Sequence, residues 1–188
     1  MLVLVLCGSP RKGGNTDILA DEFLKGAGEA GARTEKIYLD DFRIRPIGPV
    51  GDVPAKRRDV RSDDDFLKVF KRFLAADVVC FATPVYWQGV TAQTKCFMDR
   101  LSAYKWRAAY RGKVAAKGYA VITAFGAAGQ GRWVTGPLKA GVKWARGTYL
   151  GDLSVTAYKK GAVKKDAAAL ARAYALGAKA VRKMKARV

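Results

Sequence analysis

The chain has 188 residues, half of them hydrophobic, and its 35 basic and 16 acidic side chains give a formal net charge of +19. This length supports one hydrophobic core, so we expect a single domain over residues 1–188. No apolar run approaches the ~20 residues of a membrane span. The absence of histidine excludes Ser-His-Asp and Cys-His hydrolases and HExxH metalloenzymes.

The three cysteines, Cys7, Cys80 and Cys96, are scattered along the chain. Their spacing fits no metal site, and an odd number argues against a disulfide framework. Because reduced thiols are typical of the cytoplasm, we expect a cytoplasmic protein. The opening MLVLVL is too short for the apolar region of a secretory signal, which agrees with that expectation. Cys7 and Cys80 lie in or beside apolar runs, where we expect small buried hydrophobes.

The first apolar run, Leu2 to Leu6, predicts a strand, and a glycine-rich turn follows it into an amphipathic helix. A helix start offers free backbone N–H groups and a partial positive charge, so it attracts anions. Gly13 and Gly14 let the backbone approach a ligand closely. Further donors and charges come from Ser9, Arg11, Lys12, Asn15 and Thr16. The pattern predicts a cup for a phosphate monoester.

The turn departs from two common nucleotide motifs. Gly8 to Gly13 has the glycine spacing of a P-loop, but Gly14 and Asn15 stand where its lysine and hydroxyl residue belong. The dinucleotide pattern G-x-G-x-x-G is absent as well. The alternative to a phosphate cup is an ordinary strand-to-helix turn of an α/β domain.

The next elements are weaker in pattern. Arg33 to Leu39 alternates partly, which predicts a strand at a sheet edge. The proline- and arginine-rich stretch from Arg43 to Arg61 is the one expected irregular excursion. Ser62 then predicts the start of a helix with acids in its first turn. Its apolar stripe comprises Phe66, Val69, Phe70 and Phe73.

A second informative segment, FATPVYWQGVTAQTKCFMDR, covers residues 81–100. Val78 to Ala82 predicts a buried strand, and Thr91 predicts the N-cap of the following helix. Between them, aromatic rings and exposed peptide groups suit a flat heterocycle. The alternative for the Tyr-Trp pair is a place in the core or an interface. Asp99 and Arg100 are expected to form a structural pair.

The C-terminal third continues the alternation of strands and helices. Tyr119 to Phe125 predicts a fourth strand, and Leu153 to Ala157 a fifth. Pro137 is expected at the first position of a helix that ends at Gly147. A last helix is expected to present one apolar side, made of Val163, Ala167, Leu170, Tyr174, Ala178 and Val181.

The two informative segments together resemble the NADPH-dependent FMN reductase family of flavodoxin-like proteins. Its patterns are G-S-x-R-x-x-S/G-N-T and P-V-Y-x-x-x-x-[ST]-[AG]-Q-x-K-x-F-x-D-R. The chain reads GSPRKGGNT at Gly8 to Thr16 and PVYWQGVTAQTKCFMDR at Pro84 to Arg100. Many relatives, the iron–sulfur flavoproteins especially, carry a cysteine cluster. Ile44 to Phe66 contains no cysteine, so we expect flavin and no metal.

The resemblance and the five βα units imply a flavodoxin-like α/β fold, with a doubly wound five-stranded parallel sheet of order 2-1-3-4-5. Flavodoxin-type sheets place FMN at the switch between strands one and three. The phosphate is then assigned to Ser9, Arg11, Gly14, Asn15 and Thr16. The isoalloxazine ring is assigned to Pro84, Val85, Tyr86, Trp87 and Gly89, and a third loop contributes Thr123 and Gly126. No side chain is expected as acid or base, because the flavin is the reactive centre.

The resemblance implies an FMN-dependent NAD(P)H oxidoreductase of the quinone reductase type. Hydride would pass from NADPH or NADH to FMN, and on to a small acceptor such as a quinone or free flavin, in a ping-pong scheme. Relatives form dimers, so a homodimer is expected. Two alternatives stay open, a flavodoxin-like electron carrier and a flavin-fold protein whose basic surface binds nucleic acid or an acidic partner. Residues 159–188 carry ten basic side chains and one acid, Asp166. This charge suits either an ordinary solvated helix face or contact with an anionic partner.

Overall fold

Five apolar or alternating runs form one parallel sheet in the computed structural model, which describes residues 1–48, 63–105 and 107–187. The strands are β1 (Leu2–Cys7), β2 (Arg33–Tyr38), β3 (Val78–Ala82), β4 (Gly118–Phe125) and β5 (Thr148–Thr156). Their order across the sheet is β2-β1-β3-β4-β5. Every pairing is parallel. The predicted fold class and strand order are confirmed.

The burial of each strand follows its place in the sheet. In β1, Val3, Val5 and Cys7 face one helical layer while Leu4 and Leu6 face the other, and all five are fully buried. A central strand covered on both faces needs such a continuous apolar run. β2 lies at the edge, as its weaker pattern predicts, and most of its residues are at least partly exposed.

Helices cover both faces of the sheet. Those of the described residues are α1 (Asn15–Glu29), α2 (Phe66–Ala75), α3 (Ala92–Tyr104), α4 (Ala108–Ala115), α5 (Arg132–Trp144) and α6 (Ala167–Lys185). Short 3-10 helices span Leu39–Asp41 and Ala162–Lys165. α1 and α6 pack on one face, and α2 to α5 on the other. Within the described part of the chain, no helix is both long and apolar enough to cross a membrane.

Two predicted helix starts are wrong. α5 begins at Arg132, five residues before Pro137, because Val134 already belongs to its buried stripe. α2 begins at Phe66, and Ser62 lies outside the described residues. The acids before α2 hold the chain that follows β2: Asp65 accepts a hydrogen bond from the Arg43 N–H at 3.0 Å. They therefore close a loop rather than fill a first helical turn.

The buried face of α6 differs from the predicted stripe. Ala178 and Val181 are buried as expected, but Ala167 is exposed. The face that packs on α1 also contains Ala169, Ala173, Gly177, Ala180 and Met184. A Cβ on Gly177 would overlap the carbonyl oxygen of Phe23 in α1. The two helices approach so closely that small residues, and not the largest apolar ones, define the contact.

Candidate functional site

The carboxyl ends of β1, β3, β4 and β5 meet at one edge of the sheet, where their loops enclose a cleft of about 210 Å³. Nine of the twelve predicted site residues line it, namely Ser9, Arg11, Gly14, Asn15, Thr16, Pro84, Val85, Tyr86 and Gly126. The others in the lining are Ala124, Phe125, Ala157 and Tyr158. Trp87, Gly89 and Thr123 are not among the lining residues.

The start of α1 forms one end of the cleft. Gly14 stands at the N-cap with extended backbone angles, and no side chain caps the helix. Within the described residues, the N–H groups of Asn15, Thr16 and Asp17 have no hydrogen-bond partner. A Cβ on Gly14 would come within 2.9 Å of the Arg11 carbonyl oxygen, so the tight turn before α1 favours glycine at this position. Such a helix start attracts an anion.

The side chains around this helix start divide into available and occupied groups. The buried Ser9 hydroxyl accepts the Arg11 N–H at 3.1 Å, which leaves its own hydrogen for a ligand. The Arg11 guanidinium is exposed and pairs with no carboxylate among the described residues. Lys12 is turned away, because Asp41 holds its ammonium at 2.9 Å. The Ser9 hydroxyl hydrogen and the Arg11 guanidinium therefore remain available to a ligand, and Thr16 lines the same cleft.

The Asn15 side chain is not available to bind a phosphate, contrary to the prediction from the sequence. Its amide nitrogen donates to the carbonyl oxygens of Ala157 at 2.9 Å and Lys159 at 2.8 Å. Its amide oxygen accepts the Val163 N–H at 3.2 Å. Both amide hydrogens are thus engaged in joining α1 to the turn after β5. Asn15 offers a ligand its backbone N–H and not its side chain.

Asp17 is a buried residue in the first turn of α1 that the sequence pattern did not single out. Its carboxylate accepts hydrogen bonds from the Gly13 N–H at 2.7 Å, the Lys36 ammonium at 2.8 Å and the Tyr38 hydroxyl at 2.9 Å. Burial alone would raise the pKa of Asp17, but these donors outweigh burial and lower it. The carboxylate therefore stays ionised and fixes the glycine turn. The one sequence feature that could have drawn attention to Asp17 is its place in the first turn of a predicted helix. That feature favours an acid in general and does not predict a specific partner.

Burial, with a smaller contribution from the same carboxylate, keeps the Cys7 thiol protonated. Burial, and then the neighbouring Asp17 charge, raise the pKa of the Cys7 thiol to about 12. Cys80 is fully buried as well, and burial raises the pKa of its thiol. Both behave as the small buried hydrophobes that their strand positions predict.

The loop after β3 forms the other end of the cleft. Tyr86 and Gly89 exchange backbone hydrogen bonds of 2.9 and 3.0 Å across a two-residue turn. Trp87 and Gln88 occupy that turn with φ of 45° and 56°, as a hairpin turn of this type requires. The turn directs the Trp87 ring into solvent, where it is fully exposed. Tyr86 therefore lines the cleft. Trp87, which was also predicted to contact the flavin ring, instead points into solvent outside the cleft lining.

A threonine contact joins the two informative segments. The Thr91 hydroxyl caps α3, as predicted, by accepting the Thr94 N–H at 3.3 Å. It also donates to the Gly8 carbonyl oxygen at 2.7 Å. A Cβ on Gly8 would overlap the Thr94 hydroxyl, so glycine is required where β1 meets α3. The loops after β1 and β3 are thus held in a fixed relation.

The third predicted loop enters the site through Gly126 alone. A Cβ on Gly126 would lie 2.9 Å from the Tyr158 ring, so the two residues are in contact at the cleft wall. Thr123 is fully buried inside β4, and its hydroxyl has no partner within the described residues. The sequence reasoning missed Tyr158. Its position just after a fifth parallel strand was a usable signal, because the carboxyl ends of such strands share one edge.

The expected pairing of Asp99 with Arg100 is wrong. Asp99 binds Lys95 at 2.6 Å on the surface of α3. Arg100 is fully buried and pairs with the equally buried Asp64. The ion pair ties α3 to the segment that precedes α2, so Arg100 has a structural role.

Known proteins resemble this chain in both sequence and fold. A family model described as NADPH-dependent FMN reductase matches residues 1–162. One relative is YwqN of Bacillus subtilis (strain 168), which is named as an NAD(P)H-dependent FMN-containing oxidoreductase. The chain is 36% identical to it over 102 residues, which are 54% of this chain and 52% of the relative. It is 36% identical over 114 residues (60% and 51%) to an iron-sulfur flavoprotein of Archaeoglobus fulgidus. The chain spans about half the length of these curated relatives.

A solved structure matches over nearly the whole chain. The Trp repressor binding protein from Bacillus subtilis superposes with a TM-score of 0.71 and 25% identity, over 93% of this chain and 98% of that one. Flavodoxins share the same sheet architecture, which makes the fold flavodoxin-like.

Proposed function

Since the chain belongs to the NADPH-dependent FMN reductase family, we propose that it binds FMN in the cleft and oxidises NADPH or NADH. One observation carries the proposal. The uncapped start of α1 presents three backbone N–H groups that lack partners within the described residues, in a cleft that aromatic residues also line. A phosphate on a flat ring system matches both features.

The residues of the cleft fit this cofactor. The free N–H groups, the hydroxyls of Ser9 and Thr16, and the Arg11 guanidinium would hold the phosphate. The chain from Pro84 to Tyr86, with Gly126 opposite, would orient the ring. FMN, when bound, supplies a ring that accepts hydride from a nicotinamide and gives electrons to a small acceptor. The protein binds and orients, and we assign no side chain as acid or base.

The same cleft supports a proposal for the finer features of the activity. We propose that the nicotinamide and a quinone-type or flavin acceptor bind there in turn, which is a ping-pong scheme. The half-exposed Tyr86 ring in the cleft supports a planar acceptor. A homodimer and a cytoplasmic location complete the proposal. The buried thiols of Cys7 and Cys80 support a reducing location.

The experiment that tests the proposal separates the phosphate from the ring. Hydrogen bonds to a charged group contribute roughly 1.5–3 kcal/mol each, so Ser9→Ala and Thr16→Ala should weaken FMN binding about tenfold. Riboflavin lacks the phosphate, so its affinity should barely change. Thr34→Ala, at an exposed position on β2, is the matched control. A protein that binds neither flavin, or variants that weaken both flavins equally, would refute the assignment.

Reduction of the bound flavin is the second arm of that experiment. Addition of NADPH or NADH without oxygen should bleach the flavin absorption of the wild-type protein. If FMN binds at the phosphate cup and neither nicotinamide bleaches it, the electron-carrier function replaces the reductase.

A second function is favoured by the charge on α6 and the 3-10 helix before it. Six basic side chains there are exposed and form no ion pair within the described residues, namely Lys164, Lys165, Arg172, Lys179, Arg182 and Lys183. Such a surface suits a polyanion such as nucleic acid. Retention on DNA should fall steeply above ~50 mM salt, and reversal of these charges to glutamate should abolish it. The absence of retention at low salt would exclude this function.

A further inference from the structure

The turn after β5 is fixed against the start of α1. The Asn15 side chain holds the carbonyl oxygens of Ala157 and Lys159 and the Val163 N–H. The Ala157 N–H donates to the Phe125 carbonyl oxygen at 2.7 Å, and Val163 is buried in the core. The chain between these anchors therefore has a set position beside the phosphate cup without any ligand.

Lys160 lies on this turn and reaches over the glycine loop. Its Cε atom is 3.9 Å from the point that a Cβ on Gly13 would occupy. Gly13 has a φ of 71°, adopts the left-handed conformation and directly precedes the N-cap of α1. The Cε atom of Lys160, which carries the ammonium, thus lies near the backbone that leads into the uncapped helix start.

The charge environment of Lys160 differs from that of Lys12 and Lys36, the lysines that lie beside the start of α1. Asp41 neutralises Lys12, and Asp17 and Asp21 neutralise Lys36. Lys160 is exposed and pairs with no carboxylate in the part of the chain that the structure describes. A cation without a counter-ion beside a helix start reinforces the attraction of that start for an anion.

We propose that Lys160 is a second cation for the phosphate of FMN, in addition to Arg11, and that it sets the preference of the site for phosphorylated flavin. The inference rests on the proposed function, because it takes FMN as the ligand of the cleft. It adds a phosphate contact from the fifth strand's loop to those from the loop after β1. Lys160 acts by charge, so its effect should fall as salt screens the interaction.

The test compares Lys160→Gln with a matched control, Lys159→Gln. Lys159 is the exposed neighbour on the same turn, and its carbonyl group, not its ammonium, contacts Asn15. Titration of the apoprotein, followed by flavin fluorescence, gives the dissociation constants for FMN and riboflavin. We expect Lys160→Gln to weaken FMN binding about threefold to fivefold at low salt, within the range for charged contacts at an exposed site. Riboflavin should change less than about twofold, and Lys159→Gln should change neither.

The outcomes separate this inference from the function on which it rests. If the wild-type protein does not prefer FMN to riboflavin, the proposed function itself fails. If Thr16→Ala narrows that preference and Lys160→Gln leaves it unchanged, the phosphate cup is correct and the role of Lys160 is overturned. If Lys160→Gln weakens the binding of FMN and of riboflavin equally, the substitution has changed the structure of the turn. That result would also overturn the role of Lys160 as a phosphate contact. Recovery of FMN affinity by Lys160→Arg supports the charge role.

Discussion

Replacement of Asp17 by asparagine should destabilise the protein far more than the same change at Asp21, although both carboxylates bind Lys36. Asp17 is buried and accepts hydrogen bonds from the Gly13 N–H, the Lys36 ammonium and the Tyr38 hydroxyl. An amide would turn one hydrogen-bond donor toward these donors. Loss of a buried charged partner costs about 3–5 kcal/mol. Lys36 keeps Asp21 as a partner at 2.5 Å, so we expect a cost near the lower end, about 3 kcal/mol.

Urea unfolding of the flavin-free protein measures this difference. With a slope of about 2 kcal/mol per M, Asp17→Asn should lower the midpoint by about 1.5 M. The Asp21 side chain is 57% exposed, so Asp21→Asn should cost less than about 1 kcal/mol. Equal effects of the two variants would refute the role of Asp17 in holding the loop.

The contribution of the Asp17 carboxylate to stability should depend on pH. The pKa of Asp17 is lower in the folded protein than its ordinary value of 3.8. Its stabilisation is therefore fully present above that value, and it is lost as the pH falls from there through the folded pKa. The difference between the wild-type protein and Asp17→Asn should shrink when unfolding is measured at about pH 3 instead of pH 7. A difference that stays constant would contradict the ionised state of Asp17.

Three further predictions concern stability, and urea unfolding measures each of them. Gly177→Ala should destabilise the protein by roughly 2 kcal/mol or more, because its Cβ would overlap the Phe23 carbonyl oxygen. Gly112→Ala has open space around it in α4 and should stabilise the protein by up to about 1 kcal/mol. Equal effects of the two variants would refute the close contact of α1 and α6. Asn15→Ala should destabilise the protein by about 2 kcal/mol, because three hydrogen bonds are lost. Asn15→Asp should not restore this stability, because its carboxylate would face two carbonyl oxygens. Full restoration of stability by aspartate would contradict the assigned contacts. Burial lowers the pKa of Lys117 to about 8, so the folded state binds fewer protons than the unfolded state above that pH. The stability of the wild-type protein relative to Lys117→Met should therefore rise by about 1–2 kcal/mol between about pH 7.5 and 9.5, and a constant difference would refute the buried charge.

The sequence predicted the sheet because the composition of each strand indicates whether it lies at the centre or at the edge of a parallel sheet. β1, β3 and β4 are continuous apolar runs, and the structure buries them on both faces. β2 mixes charged and apolar residues, and it lies at an edge. The gathering of nine predicted residues in one cleft follows from the same rule, because parallel strands bring their carboxyl ends to one side.

The errors arose where a residue acts through a partner far along the chain. Asn15 was expected at the phosphate, and its amide instead holds carbonyl groups more than 140 residues away. Arg100 was paired with its neighbour Asp99, and it binds Asp64 inside the core. Local pattern gives the chemical type of a side chain. It does not give the direction in which the folded backbone aims that side chain.

What the sequence by itself determined is the set of donors, rings and glycines in each loop, and the order in which parallel strands present them. What only the tertiary structure decided is which of these groups remain available to a ligand. Lys12 and Lys160 are both lysines beside the same glycine turn, yet Asp41 neutralises the first and no described carboxylate pairs with the second. The physical reason is that an ion pair depends on a distance of a few ångströms between elements, and that distance is set only when the sheet and helices have packed.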